Sequence, residues 1–185
     1  MKVTSLPIEG LLIIEPDVYA DSRGYFFEPY NERRFREHTG LELKFVQDNE
    51  SYSGANTLRG LHFQVPPSPM GKLVRVTRGA ALDVAVDIRK GSPTYGQHQS
   101  VLLSQENKKQ FWVPPGFAHG FLTLEEPTVF SYKCTGFYDQ PCDRALRWND
   151  PDLGIDWGID DPILSEKDLN APFLKDFDSP FIYGE

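Results

Sequence analysis

The sequence predicts an all-β sandwich or barrel edged by a few short helices. Three observations point there. From residue 43 to residue 134 the chain is almost entirely short runs with strand character, several alternating apolar and polar residues as a half-buried strand does. Gly, Pro and Asn turns divide these runs, among them Arg78-Gly79 and Lys90-Gly91-Ser92-Pro93. Helix signals are confined to two short segments, and no repeat, low-complexity tract or linker breaks the pattern. With 185 residues the chain is long enough for one domain with a real core and short of two, so residues 1–185 read as a single unit.

Residues 11–16 form a first strand. Asp21-Ser22-Arg23-Gly24 is a turn leading into an aromatic run over 25–29. Asn31 is suited to cap a helix over 32–38 that Gly40 closes. Its apolar content is thin, which places it on the surface. Next comes Arg59-Gly60-Leu61-His62-Phe63-Gln64, where alternation puts Leu58, Gly60, His62 and Gln64 on one face and Arg59, Leu61 and Phe63 on the other. A polar side chain on an inward strand face is costly without a partner, so His62 calls for an explanation. Residues 72–77 lead into 80–88, where Leu82, Val84, Val86 and Ile88 alternate with Ala81, Asp83, Ala85 and Asp87. Strands over 99–104, 110–113, 120–124 and 128–134 complete the set. After Trp148 the chain turns to loops, and a helical turn begins at Ser165. Ser165 with Asp168 fits a capping pattern, which gives Asp168 a structural use of its own.

The net charge of −8 argues against a nucleic-acid partner, which would demand excess Lys and Arg. No apolar run reaches membrane-spanning length. Leu11-Leu12-Ile13-Ile14 is too short for a signal-peptide core and meets Glu15 at once, so a cytoplasmic protein is expected. Cys134 and Cys142 sit in no CxxC pair and have no histidine at zinc spacing, and read as ordinary thiols.

Pro114-Pro115-Gly116-Phe117-Ala118-His119 keeps the Pro-x-Gly-x-x-His of the second cupin motif, so the barrel resembles the cupin jelly roll (double-stranded β-helix). Metal cupins carry His-x-His in the first motif. Here Gln64 stands two residues after His62, and a lone pair of imidazoles is a poor ligand set, so a barrel without metal is expected. The resemblance extends further. The segments 59–64, Lys72-Leu73-Val74-Arg75-Val76, Asp83-Val84-Ala85-Val86-Asp87-Ile88-Arg89 and Gly116-Phe117-Ala118-His119-Gly120-Phe121 follow one another in order. Tyr132-Lys133-Cys134, Trp148-Asn149-Asp150-Pro151 and Leu164-Ser165-Glu166-Lys167-Asp168 continue the succession. Over nearly its whole length the chain resembles the dTDP-4-dehydrorhamnose 3,5-epimerase family.

That resemblance implies a dTDP-linked 4-keto-6-deoxy sugar as substrate, inverted at C3 and C5, the carbons beside the C4 ketone. It implies no cofactor, and no dinucleotide fingerprint is present. His62 matches the base: imidazole, with a reference pKa of about 6.5, can be neutral at physiological pH and take a proton. Asp168 matches its carboxylate partner, Lys72 the cation at the developing enolate, and Tyr132 the acid on the opposite face of the ring. Arg23 and Arg59 match diphosphate ligands, whose oxygens suit guanidinium forks. Phe26 and Glu28 match contacts at the nucleotide end, and Gln47, Asn49, His119 and Lys167 match further substrate contacts. Some of these come from a partner subunit in the family, which implies a homodimer. Where the family has Glu this chain has Asp143, whose shorter reach puts a direct contact in question. The rival readings are a single-site epimerase or 3,4-ketoisomerase of a dTDP-4-keto sugar, a metal-dependent cupin, and a non-catalytic sugar-nucleotide binder.

Overall fold

The computed structural model describes residues 1–184. Its strands, in chain order, are β1 (Lys2–Ser5), β2 (Leu12–Glu15), β3 (Val18–Asp21), β4 (Gly24–Phe27), β5 (Gln47–Ser53), β6 (Leu58–Gln64), β7 (Lys72–Arg78), β8 (Ala80–Asp87), β9 (His98–Ser104), β10 (Gln110–Val113), β11 (Phe117–Thr123), β12 (Thr128–Cys134) and β13 (Asp143–Ala145). Helix α1 is Glu32–Thr39 and helix α2 is Glu166–Leu169. Most expected strands are present. The exceptions are instructive: β1, β3 and β13 have three or four residues each, too few to show a period. They are strands because a neighbour pairs with them.

Two antiparallel sheets face one another as a barrel-like sandwich, with strand orders β1-β2-β10-β7-β12-β5 and β13-β6-β11-β8-β9. Between them lies a core in which Val74, Val76, Phe111 and Phe130 of the first sheet meet Ala85, Leu103, Phe117 and Phe121 of the second. Phe121 and Phe130 stack across the gap with ring centres 3.8 Å apart. Burying each such ring stabilises the fold by about 1.5–3 kcal/mol. The alternation expected in β8 holds: Val84, Val86 and Ile88 point to a second cluster behind the five-stranded sheet, which Leu146, Trp148, Leu153 and Trp157 cover. The loop-like C-terminal region is therefore the back wall of that sheet.

Asn31 caps α1 by accepting a hydrogen bond from the Arg34 amide, and Gly40 ends it in the left-handed conformation at φ 72°. Phe35 is its buried residue, packed with Ile14, Leu73 and Trp112 on the outside of the six-stranded sheet. The hairpin of β3 and β4 stands as a separate two-stranded sheet. Among the described residues no helix is long and apolar enough to cross a membrane.

One expectation about β6 needs correcting. Pairing with β11 sets His119 opposite His62 but Phe121 opposite Arg59, so three steps along β6 meet two along β11. The extra residue is a β-bulge, and it reverses the alternation upstream. Leu58 packs with Leu61 and Phe63 instead of facing with His62, and Arg59 turns to the same cavity as His62. Gly60 makes this possible. Its φ is +145°, and a side chain there would meet the Gly120 Cα at 2.5 Å.

Candidate active site

A cavity of about 420 Å³ opens between the two sheets, and Arg59, His62, Lys72, His119, Tyr132 and Asp168 line it. A smaller space of about 150 Å³ adjoins it, sharing His62, Lys72 and Tyr132 and adding Gln47, Asn49, Asp143 and Lys167. The strands explain the gathering. His62 and His119 sit opposite each other on β6 and β11 of one sheet. Lys72 begins β7 and Tyr132 lies on β12, paired with each other's strand in the facing sheet. Imidazoles thus approach from one wall, and the ammonium and phenol from the other.

His62 Nε2 meets Asp168 Oδ1 at 2.5 Å. With the carboxylate ionised, the ring N–H is the donor and Nδ1 keeps its lone pair. The Asp168 side chain is 3% exposed and that of His62 31%, so the carboxylate lies behind an imidazole that still reaches the cavity. Burial disfavours the Asp168 anion, but the hydrogen bond and charge of His62 outweigh it and hold the carboxyl below its usual range. Capping does not compete with this role, because Ser165 Oγ accepts from the Asp168 backbone amide at 3.2 Å, and the Ser165 hydroxyl also helps His62 to hold the carboxyl down.

Burial pulls the Lys72 ammonium below its ordinary value, against the opposing pull of Cys134, Asp83 and Asp143. Its Nζ donates to the His62 carbonyl at 3.3 Å. Burial also pushes the Tyr132 phenol upward, so it holds its proton at neutral pH. His119 differs from His62. Its Nε2 donates to Asp83 at 2.9 Å, Asp83 is fully buried, and burial lowers the imidazole's proton affinity despite that partner.

Asp83 was not among the site residues expected from the sequence. The signal was present, since Asp83 shares the inward face of β8 with Ala81 and Ala85. Tyr138 was missed too. It is an exposed ring at the mouth whose hydroxyl donates to Asp143 Oδ2 at 3.3 Å, and no local pattern announces it. Asp143 is also hydrogen-bonded by Lys167, so its carboxylate is held within the protein. Gln47 Nε2 donates to Asn49 Oδ1 at 3.0 Å. Arg59 rests on Ser53 Oγ at 3.0 Å. Cys134 and Cys142 are free and buried.

Arg23, Phe26 and Glu28 are not brought to this cavity. Arg23 is 88% exposed at its side chain and pairs with Asp21 on its own hairpin. Phe26 is 68% exposed, and Glu28 accepts from Asn31 Nδ2 at 2.9 Å.

Residues 5–176 match the family model described as dTDP-4-dehydrorhamnose 3,5-epimerase. The chain belongs to that family. A 3,5-epimerase of Methanothermobacter thermautotrophicus is 55% identical over 172 residues, covering 91% of this chain and 92% of that one. A Pseudomonas aeruginosa 3,5-epimerase is 51% identical over 179 residues, covering 96% and 98%. Among solved structures, the Legionella pneumophila dTDP-6-deoxy-D-glucose-3,5-epimerase, in complex with dTDP-4-keto-L-rhamnose, superposes with a TM-score of 0.92 at 47% identity and covers 96% of this chain and 94% of that one. The cupin-like jelly roll expected from the motifs is thus the fold of this epimerase family.

Proposed function

We propose that this chain converts dTDP-4-dehydro-6-deoxy-D-glucose to dTDP-4-dehydro-L-rhamnose by inverting C3 and C5, with His62 as base, Lys72 at the enolate and Tyr132 as acid. The observation that carries the reading is that His62 and Tyr132 line one cavity from facing sheets, with Lys72 beside them. Inversion demands that arrangement, because a proton removed from one face of the ring must be replaced from the other.

The ketone acidifies both neighbouring carbons, since the charge left by deprotonation moves onto the C4 oxygen. His62 Nδ1 takes the proton. Asp168 keeps the ring in that tautomer and stabilises the imidazolium that forms. The Lys72 ammonium offsets the charge on the C4 oxygen, in a site buried enough to strengthen the interaction. Tyr132 then delivers a proton to carbon from the opposite wall. Arg59 receives the diphosphate, with Gln47, Asn49, His119 and Lys167 as further contacts; Asp143 acts through Lys167 and Tyr138.

The reading includes a homodimer in which a second copy's hairpin brings Arg23, Phe26 and Glu28 to the nucleotide. Its support is that these three lie outside the cavity of their own chain, Arg23 and Phe26 on a hairpin exposing Tyr19, Tyr25 and Phe26 and Glu28 directly after it.

Incubating substrate in D2O tests the chemistry. Deuterium at both C3 and C5 is expected. Exchange at neither carbon refutes the proposal, and exchange at one alone makes the protein a single-site epimerase.

A further inference from the structure

The strand that carries His62 ends on Gln64, which none of the steps above employs. Gln64 is 5% exposed and every polar atom of its side chain is committed. Its Nε2 donates to the carbonyls of Ser68 at 2.7 Å and Phe137 at 3.2 Å. Its Oε1 accepts from the Asp139 amide at 2.7 Å. One side chain therefore holds two loops, the one joining β6 to β7 and the one following β12. Ser68 Oγ adds a second tie by donating to Asp139 Oδ2 at 2.5 Å.

The residue between the two held backbone groups is Tyr138. Its own amide donates to Gln47 Oε1 at 3.1 Å, and its hydroxyl reaches Asp143. Tyr138 is more than half exposed, so no packing fixes it. Its place at the mouth of the smaller space depends on the backbone on either side of it. An exposed aromatic on an untethered loop would sample many positions and would have to be ordered at each binding event.

We propose that Gln64 is a positioning residue that presets the 137–139 rim, so that Tyr138 and the Asp143–Lys167 pair meet the nucleotide part of the ligand without reorganising. This rests on the function proposed above. It also explains why an amide suits the position: the pocket beneath the rim presents two carbonyls and one N–H, and an amide supplies the matching two donors and one acceptor. Imidazole and carboxylate do not.

The test is Gln64→Glu, which keeps the size and the acceptor for Asp139 but sets oxygen against the carbonyls of Ser68 and Phe137. The KM for the 4-keto sugar nucleotide and the Kd for dTDP by calorimetry should both rise about tenfold, the equivalent of one lost hydrogen bond of about 1.4 kcal/mol, with kcat within about twofold. Ser68→Ala, which leaves Gln64 intact, should shift both constants the same way by about threefold. A fall in kcat with KM and Kd unchanged overturns the proposal, because that is what a partly unfolded or chemically impaired enzyme shows. So does an unchanged KM and Kd in both variants. If Gln64→Glu does not fold, Ser68→Ala decides alone, and unchanged constants overturn the proposal. Wild-type turnover is the separate control. A wild type that binds dTDP but exchanges no substrate protons defeats the functional reading, while the difference in dTDP affinity between wild type and variants still judges Gln64.

Discussion

The molecule holds two histidine–aspartate pairs side by side, and their difference shows how burial sets what a pair can do. His62 and His119 face each other across β6 and β11, and each bonds a carboxylate through Nε2. His119 is buried with Asp83, and its proton affinity is lowered by loss of water. It can hold a hydrogen bond but gains a proton reluctantly. His62 has the same partner type but keeps one edge in the cavity, with only its aspartate buried. A proton can therefore reach it from a ligand. On this view the first pair does chemistry, while the second holds the wall and offers the ligand a contact without exchanging protons with it.

The strongest way to break that comparison is His62→Asn. It should lower inversion and C3/C5 exchange together by about 10²–10⁴-fold, the usual worth of a positioned acid–base group, as read by NMR in D2O. If exchange survives at the wild-type rate, His62 is not the base. Lys72→Met should cost about 10²–10³-fold in kcat, the scale of one donor to a developing oxyanion, while His62–Asp168 remains intact. Steady-state kinetics measures this, and a change confined to KM would make Lys72 a binding group only.

Tyr132→Phe sharpens the comparison by separating the two walls. Deuterium exchange should persist while net inversion is suppressed, because the base is retained and the opposite donor is gone. The smallest effect is on stability and concerns the second pair. Burial depresses His119 in the folded state, so below its ordinary value of 6.5 the unfolded chain binds the proton more readily. Stability from this group is complete above that pH and is lost as pH falls toward the lower folded value, by about 1.4 kcal/mol for each unit of depression. His119→Gln keeps an N–H for Asp83 and should flatten that acid limb in denaturant titrations between pH 5 and 7. An identical limb in the variant would place its origin elsewhere.

Much of this site was legible before the fold was known. Histidine on an inward strand face, an inward aspartate in the alternation of β8, and a Ser-x-x-Asp turn are all local patterns. What escaped were features set by distance. The bulge opposite Gly120 turns Arg59 toward His62 against simple alternation, and within 59–64 the single hint of it is Gly60, an isolated glycine in a strand. Tyr138 sits on a loop whose position is fixed by Gln64, more than seventy residues away. Strand β13 is three residues long and exists through pairing with β6.

By itself the sequence determined the all-β class, the position of most strands, the caps of both helices, and the residue types offered for proton transfer. These follow from short-range periodicity and from chemistry that each side chain carries alone. Tertiary structure decided which histidine stays open to the cavity, which walls face each other, and which predicted contacts lie outside the chain's own pocket. Those depend on burial and on pairing between distant strands, and neither is a property of any local stretch of sequence.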